Sequence, residues 1–423
     1  MIKKMIALLL CLFMVAALAG CGSQIDKYEE PQTDAEPTAE AEEAADGDAE
    51  DAEEAEGAEA EDEDAEDAEQ TPDPGLGYAA FAPDEVVATF NGQDVTWQEY
   101  YYWLSYYADY AQYMAALSGT SMSGWDEHEL DPEYTNAEAI YLSAQDSVFQ
   151  YHAAETLAQE LDVTLTEEDE AEVLEIFEMS ADGYYGDGDG ECTEEEAAAY
   201  EEYLEEQFIS RELFDYMSRV GILAEKSFAE LYGEDAEKYS DEDTLAFAED
   251  AELLAAKHIL LLTVDMATGE ALSDEEIEEK TALVEQLHEE LAALEGDPEA
   301  LAARFDELMN EYSEDSGLEA NPNGYLFAPG VMVTEFTDTT AALEEYGLSE
   351  PVESSYGYHI IMRIPIDPDG TALFADGSDY PLRYAAANEA FYAMMDQAML
   401  DAEVVWNGDF ETPDMTAIFG ALA

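Results

Sequence analysis

Leu254-Ala255-Ala256-Lys257-His258-Ile259-Leu260-Leu261-Leu262-Thr263 and, further on, Tyr358-His359-Ile360-Ile361-Met362-Arg363-Ile364 are the stretches that decide the fold. The first is a continuous apolar run with Lys257 and His258 set inside it, and reads as a central strand; the second is β-rich. Between them, Ile277, Val284, Leu287, Leu291 and Leu294 recur at helical spacing over Ser273–Leu294. Asp297-Pro298 is an N-cap followed by proline at the first helical position, opening a helix that buries Leu301, Phe305, Leu308 and Tyr312. A Gly/Asn/Pro-rich loop then runs from Ser313 to Gly330, and a short helix from Phe336 to Glu345. Strand, two helices, loop, helix and strand predict a compact α+β unit over residues 251–366.

Outward from this unit the chain is helical. After a connector rich in Pro, Gly and Asp, Leu382–Val405 turns Tyr384, Phe391, Met395 and Met399 inward and is expected to pack with helices at the N-terminal end. There, order is expected from Asp84. Val86–Phe90 reads as a strand, Asn91-Gly92 as a tight turn, and Asp94-Val95 as the returning strand. Thr96-x-x-Glu99 is a capping box opening a helix on which Tyr100, Trp103, Tyr107 and Tyr110 share one face. That face is a core stripe or a groove for peptides. Further helices are predicted over 136–161, 167–180, 194–220 and 225–232, the third announced by the capping box Thr193-x-x-Glu196. Asp187–Glu191 is an acidic turn and not a calcium loop, since Cys192 and Ala198 occupy the positions where glycine and glutamate are needed.

The chain has 423 residues, 12 basic against 106 acidic, for a formal net charge of −94, yet 47% of it is hydrophobic, enough for real cores. So anionic a surface cannot displace counterions from nucleic acid, which is excluded as a partner. Anionic lipid repels it too, so membrane association needs an anchor. Residues 1–20 supply one: Lys3 and Lys4 precede the apolar run Met5–Leu18, which ends in Leu18-Ala19-Gly20-Cys21. This resembles the lipobox of bacterial lipoproteins and implies lipidation of Cys21. The expected location is the extracytoplasmic face of a bacterial cell membrane, reached through a lipid anchor. Residues 21–83 would be a disordered acidic linker, since Asp26–Gly75 has almost no large apolar residues to bury. A spacer is the main reading for it, diffuse calcium binding the other. Cys192, the remaining thiol, sits among carboxylates with no base nearby and reads as a bystander.

Six separated blocks then fall in the order and spacing of parvulin domains. They are His258-Ile259-Leu260, Tyr312-Ser313-Glu314-Asp315, Gly324-Tyr325-Leu326, Gly330–Phe336, Leu348-Ser349-Glu350-Pro351-Val352 and Gly357-Tyr358-His359-Ile360-Ile361. With a lipobox and helical segments on both sides, the chain resembles the PrsA-type foldase lipoproteins and, more distantly, SurA. The resemblance implies that His258 and His359 lie on neighbouring strands at the floor of the site, with Asp315 at the Cys-or-Asp position and Ser354 as the hydroxyl of the network. It implies that Leu326, Met332 and Phe336 form the apolar pocket for a proline ring, although these three are also what a simple core would contain. The chain departs from the usual Gly-Gly-Asp-Leu-Gly at Asn323-Gly324-Tyr325-Leu326-Phe327, and Phe327, in place of a glycine, is expected at the pocket rim.

Such a set suits peptidyl-prolyl isomerisation. An X-Pro bond must pass through a twisted amide about 18–20 kcal/mol up. No bond breaks, so no nucleophile, metal or cofactor is required. An apolar cup and a polar cluster that favours the twisted amide suffice. The expected architecture is therefore α+β: a parvulin domain, 251–366, inserted in an all-α chaperone-like domain made of 84–250 and 367–423. The implied partners are unfolded secreted proteins with proline-containing segments, with a homodimer left open. The alternative reading is a holdase whose parvulin unit only binds peptides.

Overall fold

The computed structural model describes residues 74–422 except Asp187 and Asp189. The expected signal sequence, Cys21 and the acidic segment up to residue 73 lie outside the described residues. In chain order the first elements are α1 (Pro74–Tyr78), β1 (Val86–Phe90), β2 (Gln93–Thr96), α2 (Trp97–Leu117), α3 (Asn136–Glu160), α4 (Glu167–Tyr185), α5 (Glu194–Glu206), α6 (Arg211–Tyr232) and α7 (Asp241–Asp250). Then follow β3 (Leu254–Leu262), α8 (Asp274–Ala292), α9 (Pro298–Tyr312), β4 (Tyr325–Phe327), α10 (Thr334–Ala342), β5 (Val352–Glu353), β6 (Gly357–Arg363), β7 (Thr371–Leu373), β8 (Asp379–Pro381), α11 (Leu382–Leu400), β9 (Val404–Trp406) and α12 (Met415–Phe419). Two compact units result. One holds the described residues up to Val148, with Glu170–Gly221 and those from Glu403 on; the other holds Phe149–Asp169 and Ile222–Ala402. Residues 222–250 and 367–402, expected with the helical part, thus cluster with the sheet of the second unit.

In the first unit β1 pairs with β2 on one side and with β9 on the other, both antiparallel. The β1–β2 turn is the one expected: Asn91 and Gly92 take φ of +50° and +82°, a conformation glycine adopts without strain. The Thr96–Glu99 capping box forms on both sides, with the Thr96 amide donating to Glu99 Oε2 at 2.6 Å. The aromatic face of α2 is core at its start and surface at its end: Tyr100 and Trp103 are buried, and Tyr110 is exposed. Order begins earlier than Asp84. Tyr78 packs on Tyr101 and Phe208, and Phe81, itself exposed, touches Trp97 and Phe410, so contacts with the aromatic core begin ahead of Asp84. Phe208 also explains why one predicted helix, 194–220, is two. It stands at φ +62° between α5 and α6, turning its ring into that core, whereas Gly221 stays inside α6.

The sheet of the second unit runs β5-β6-β3-β4-β7-β8, antiparallel except for the β4–β7 pair. β3 pairs with β6 from Ala256↔Arg363 to Leu262↔Gly357, which fixes the two faces. On the back face Ile259, Leu261, Ile360 and Met362 meet Val284, Leu287 and Leu291 of α8 and Leu301, Phe305 and Leu308 of α9. These are the residues the helical spacing singles out. Further along the same face, Leu253, Ala255, Leu326 and Ala372 pack with Ala248 and Leu382. The front face carries Ala256, Phe327 and Ile361 under Phe336 of α10. β7 and β8 occupy the stretch expected as a connector. They are three residues each, too short for an alternation to show in the sequence.

Candidate active site

The register of β3 and β6 sets His258 opposite Ile361 and His359 opposite Leu260, so both imidazoles project from the front face. Their rings lie nearly parallel, 13° apart with centroids at 5.4 Å, and Nδ1 faces Nδ1 at 3.1 Å. Beyond Ala256, β3 has no partner strand on its β4 side. The segment after α9 takes that place: Ser313 Oγ accepts from the Leu260 amide, the Glu314 amide donates to the Leu260 carbonyl, and Glu314 Oε2 accepts from the Leu262 amide. Lys280 holds the same Glu314 carboxylate. This is the physical content of the Tyr-Ser-Glu-Asp block: its Ser and Glu satisfy the strand edge, and the next residue is thereby delivered to the histidines. Asp315 Oδ2 lies 3.0 Å from His258 Nε2.

On the other side, the turn joining β5 to β6 brings Ser354 Oγ to 2.7 Å from His359 Nε2. The structure therefore brings His258, His359, Asp315 and Ser354 into one chain of hydrogen bonds. Asp315 also accepts the Gly317 amide on Oδ1 at 3.0 Å and the Tyr325 hydroxyl on Oδ2 at 2.6 Å. Burial pushes its pKa up, but the hydrogen bonds from His258, Tyr325 and Gly317 outweigh this and hold the carboxyl well below the usual carboxylate range. His359 goes the other way. Burial, then the neighbouring His258, push it down to about 4, against a smaller pull from Asp315, so it is neutral at pH 7. With Asp315 ionised, His258 Nε2–H donates to it, and the Nδ1–Nδ1 and Ser354–His359 contacts continue the chain, their donor directions following the ring tautomers.

The apolar part differs from the expectation. Met332, partly buried, and Phe336 are on the front face, and Phe336 sets its ring edge-on to both imidazoles, 5.1 Å from His258 and 5.7 Å from His359. Leu326 is not there. Paired with Ala255, it points to the back face and packs with Ala372 and Leu382. Its neighbours in β4, Tyr325 and Phe327, take the front. Phe327 is no rim residue either: it is fully buried beneath Phe336, at 5.7 Å. Placing the pocket by the Leu of the family pattern is thus one residue out of register, and in a strand that means the opposite face. Sequence reasoning treats Tyr325 only as a lost aspartate, although it touches the network directly. A strand of three residues gave no period in the sequence that would have found it.

Residues 258–364 match the family described as Rotamase, PPIC-type PPIASE domain. The chain is 53% identical over 60 residues to the foldase protein PrsA of Halalkalibacterium halodurans, covering 14% of this chain and 18% of that one. It is 32% identical over 160 residues to PrsA of Oceanobacillus iheyensis and 31% over 169 residues to PrsA of Caldanaerobacter subterraneus, covering 37% and 38% of this chain. These longer alignments span 44% and 45% of the two relatives, so less than half of their length is matched. Residues 258–364 are therefore a parvulin domain of the PPIC type, in a chain whose relatives are PrsA foldases.

Proposed function

We propose that this protein is a peptidyl-prolyl cis/trans isomerase acting as a foldase on secreted proteins, with His258, Asp315, His359 and Ser354 as its polar network and Met332 and Phe336 receiving the proline ring. The observation that carries the reading is the closed hydrogen-bond chain from Ser354 to Asp315 beside the Phe336 ring. A polar group already saturated by its neighbours needs no reorganisation when the substrate amide twists, and fixed dipoles of this kind favour a transition state electrostatically. Neutral His359 between two hydrogen-bond partners shapes the site without passing a proton to the substrate.

Anchoring through lipidated Cys21 and chaperone activity of the helical unit belong to the same reading. The sequence motif Leu18-Ala19-Gly20-Cys21 supports the first; Tyr110, Tyr113, Met114 and Leu117, exposed at the end of α2, support the second. Among the described residues no helix is long and apolar enough to cross a membrane. A holdase without turnover is the second reading. It is favoured by Phe336, which lies against Phe327 and is only 2% exposed.

Exchange kinetics of an X-Pro model peptide separate the two. The wild-type chain should accelerate exchange, and the His258→Ala, His359→Ala double variant should lose most of the effect while keeping native circular dichroism. Aggregation suppression without acceleration by any variant, wild type included, makes the protein a holdase.

A further inference from the structure

Tyr325 stands where the family pattern has an aspartate, and the surrounding structure makes room for it. Opposite it in β3 is Ala256, whose small side chain leaves the front face open at that point. The Tyr325 ring meets His258 edge-on, with centroids at 5.7 Å and planes 82° apart. Its hydroxyl reaches Asp315 Oδ2, the same oxygen that faces His258 Nε2. The hydroxyl also needs a notch in the loop. A Cβ on residue 317 would stand 2.2 Å from the Tyr325 hydroxyl oxygen, and only glycine is compatible with that approach. Gly317 therefore serves twice, by leaving this space and by donating its amide to the other oxygen of Asp315.

We propose that Tyr325 is a positioning residue of the isomerase site, locking the Asp315 carboxylate in the orientation that meets His258. This rests on the isomerase reading above. Three donors converge on Asp315 from three directions: His258 from β3, Tyr325 from β4 and the Gly317 amide from its own loop. His359 is the remaining charged or titratable group acting on the network, from β6. The Gly317 amide holds Oδ1 while His258 and Tyr325 share Oδ2, so the phenol keeps Oδ2 aligned on His258 and its loss leaves that oxygen with a single donor. Burial and the Asp315 carboxylate both raise the Tyr325 pKa, so the phenol stays a donor wherever the protein works.

Tyr325→Phe keeps the ring against His258 and removes only the hydroxyl. In the full chain it should lower kcat/KM for an X-Pro peptide roughly threefold to tenfold, the usual scale for one hydrogen bond. It should also move the acid limb of the activity profile to higher pH, together with the NMR titration of the Asp315 carboxyl. Gly317→Ala should act likewise by displacing the hydroxyl. Added to Tyr325→Phe it should cost little more, because the atom it strikes is gone. A tyrosine that merely fills space would move neither titration. Tyr325→Phe with wild-type kcat/KM and an unmoved Asp315 titration, or full additivity of the two changes, overturns the assignment. An inactive wild type removes the isomerase reading itself, and the positioning role with it.

Discussion

His359 is buried among groups that cannot tolerate its charge, and this has a consequence for stability. Its pKa is about 4 in the folded protein, while an unfolded histidine titrates near 6.5. Between those values the unfolded chain binds a proton that the native state refuses, so stability rises with pH across the window and is lost as pH falls from about 6.5 to 4. A gap of this size corresponds to about 3 kcal/mol. Asp315 works in the same direction lower down, its stabilising ionisation being lost once pH passes below the ordinary carboxylate range. The 106 acidic residues oppose both, because their mutual repulsion eases as they are protonated. A difference measurement removes that background. The urea midpoint of wild type minus that of His359→Gln should fall steadily from pH 7 to pH 4; a pH-independent difference would mean that His359 is protonated in place. The four polar residues of the network were legible in the sequence because motif blocks on three separate segments bracket them. Tyr325 was not, because its role depends on a space at Gly317 that no motif encodes.

At the scale of elements, β4 is only Tyr325–Phe327, and its alternation decides which of three adjacent side chains faces the site. A longer strand would have displayed its period in the sequence; three residues cannot. The long elements were readable for the opposite reason, since α8 and α9 repeat their apolar residues over several turns and those same residues form the back-face core. The β4 register makes a pair of substitutions diagnostic. Leu326→Ala removes a side chain from the back-face cluster and should destabilise the unit by about 2–5 kcal/mol, as large-to-small core changes do. At a temperature where the variant is folded, its kcat/KM on peptides should be near that of wild type. Met332→Ala touches a partly buried front-face residue and should do the reverse, with a small change in melting temperature and a clear loss of kcat/KM. Should Leu326→Ala instead raise KM without a stability cost, the family register would be right and the observed pairing of Leu326 with Ala255 wrong for the working protein.

Across the whole molecule, attachment, acidic segment and folded units are separable in the sequence, and the separation is testable. Composition alone marks the acidic segment, a run of Glu, Asp and Ala with almost no large apolar residues. Where it ends is a matter of packing, invisible to composition: Tyr78 and Phe81 sit in a Gly/Ala/Pro-rich context, yet their rings pack on Trp97, Tyr101 and Phe208. A chain beginning at Pro74 should therefore keep full activity on a soluble peptide, since it loses only the segment ahead of the folded units. A chain beginning at Asp84 should be less stable, through loss of α1 and of the Phe81 contacts with Trp97 and Phe410. Cys21→Ser in the full chain should leave isomerase activity untouched and change only location, with the protein recovered from the medium or retained uncleaved. Membrane retention of that variant, with its signal processed at residue 21, would place the anchor elsewhere. An equal melting temperature for the Pro74 and Asp84 chains would return residues 74–83 to the linker.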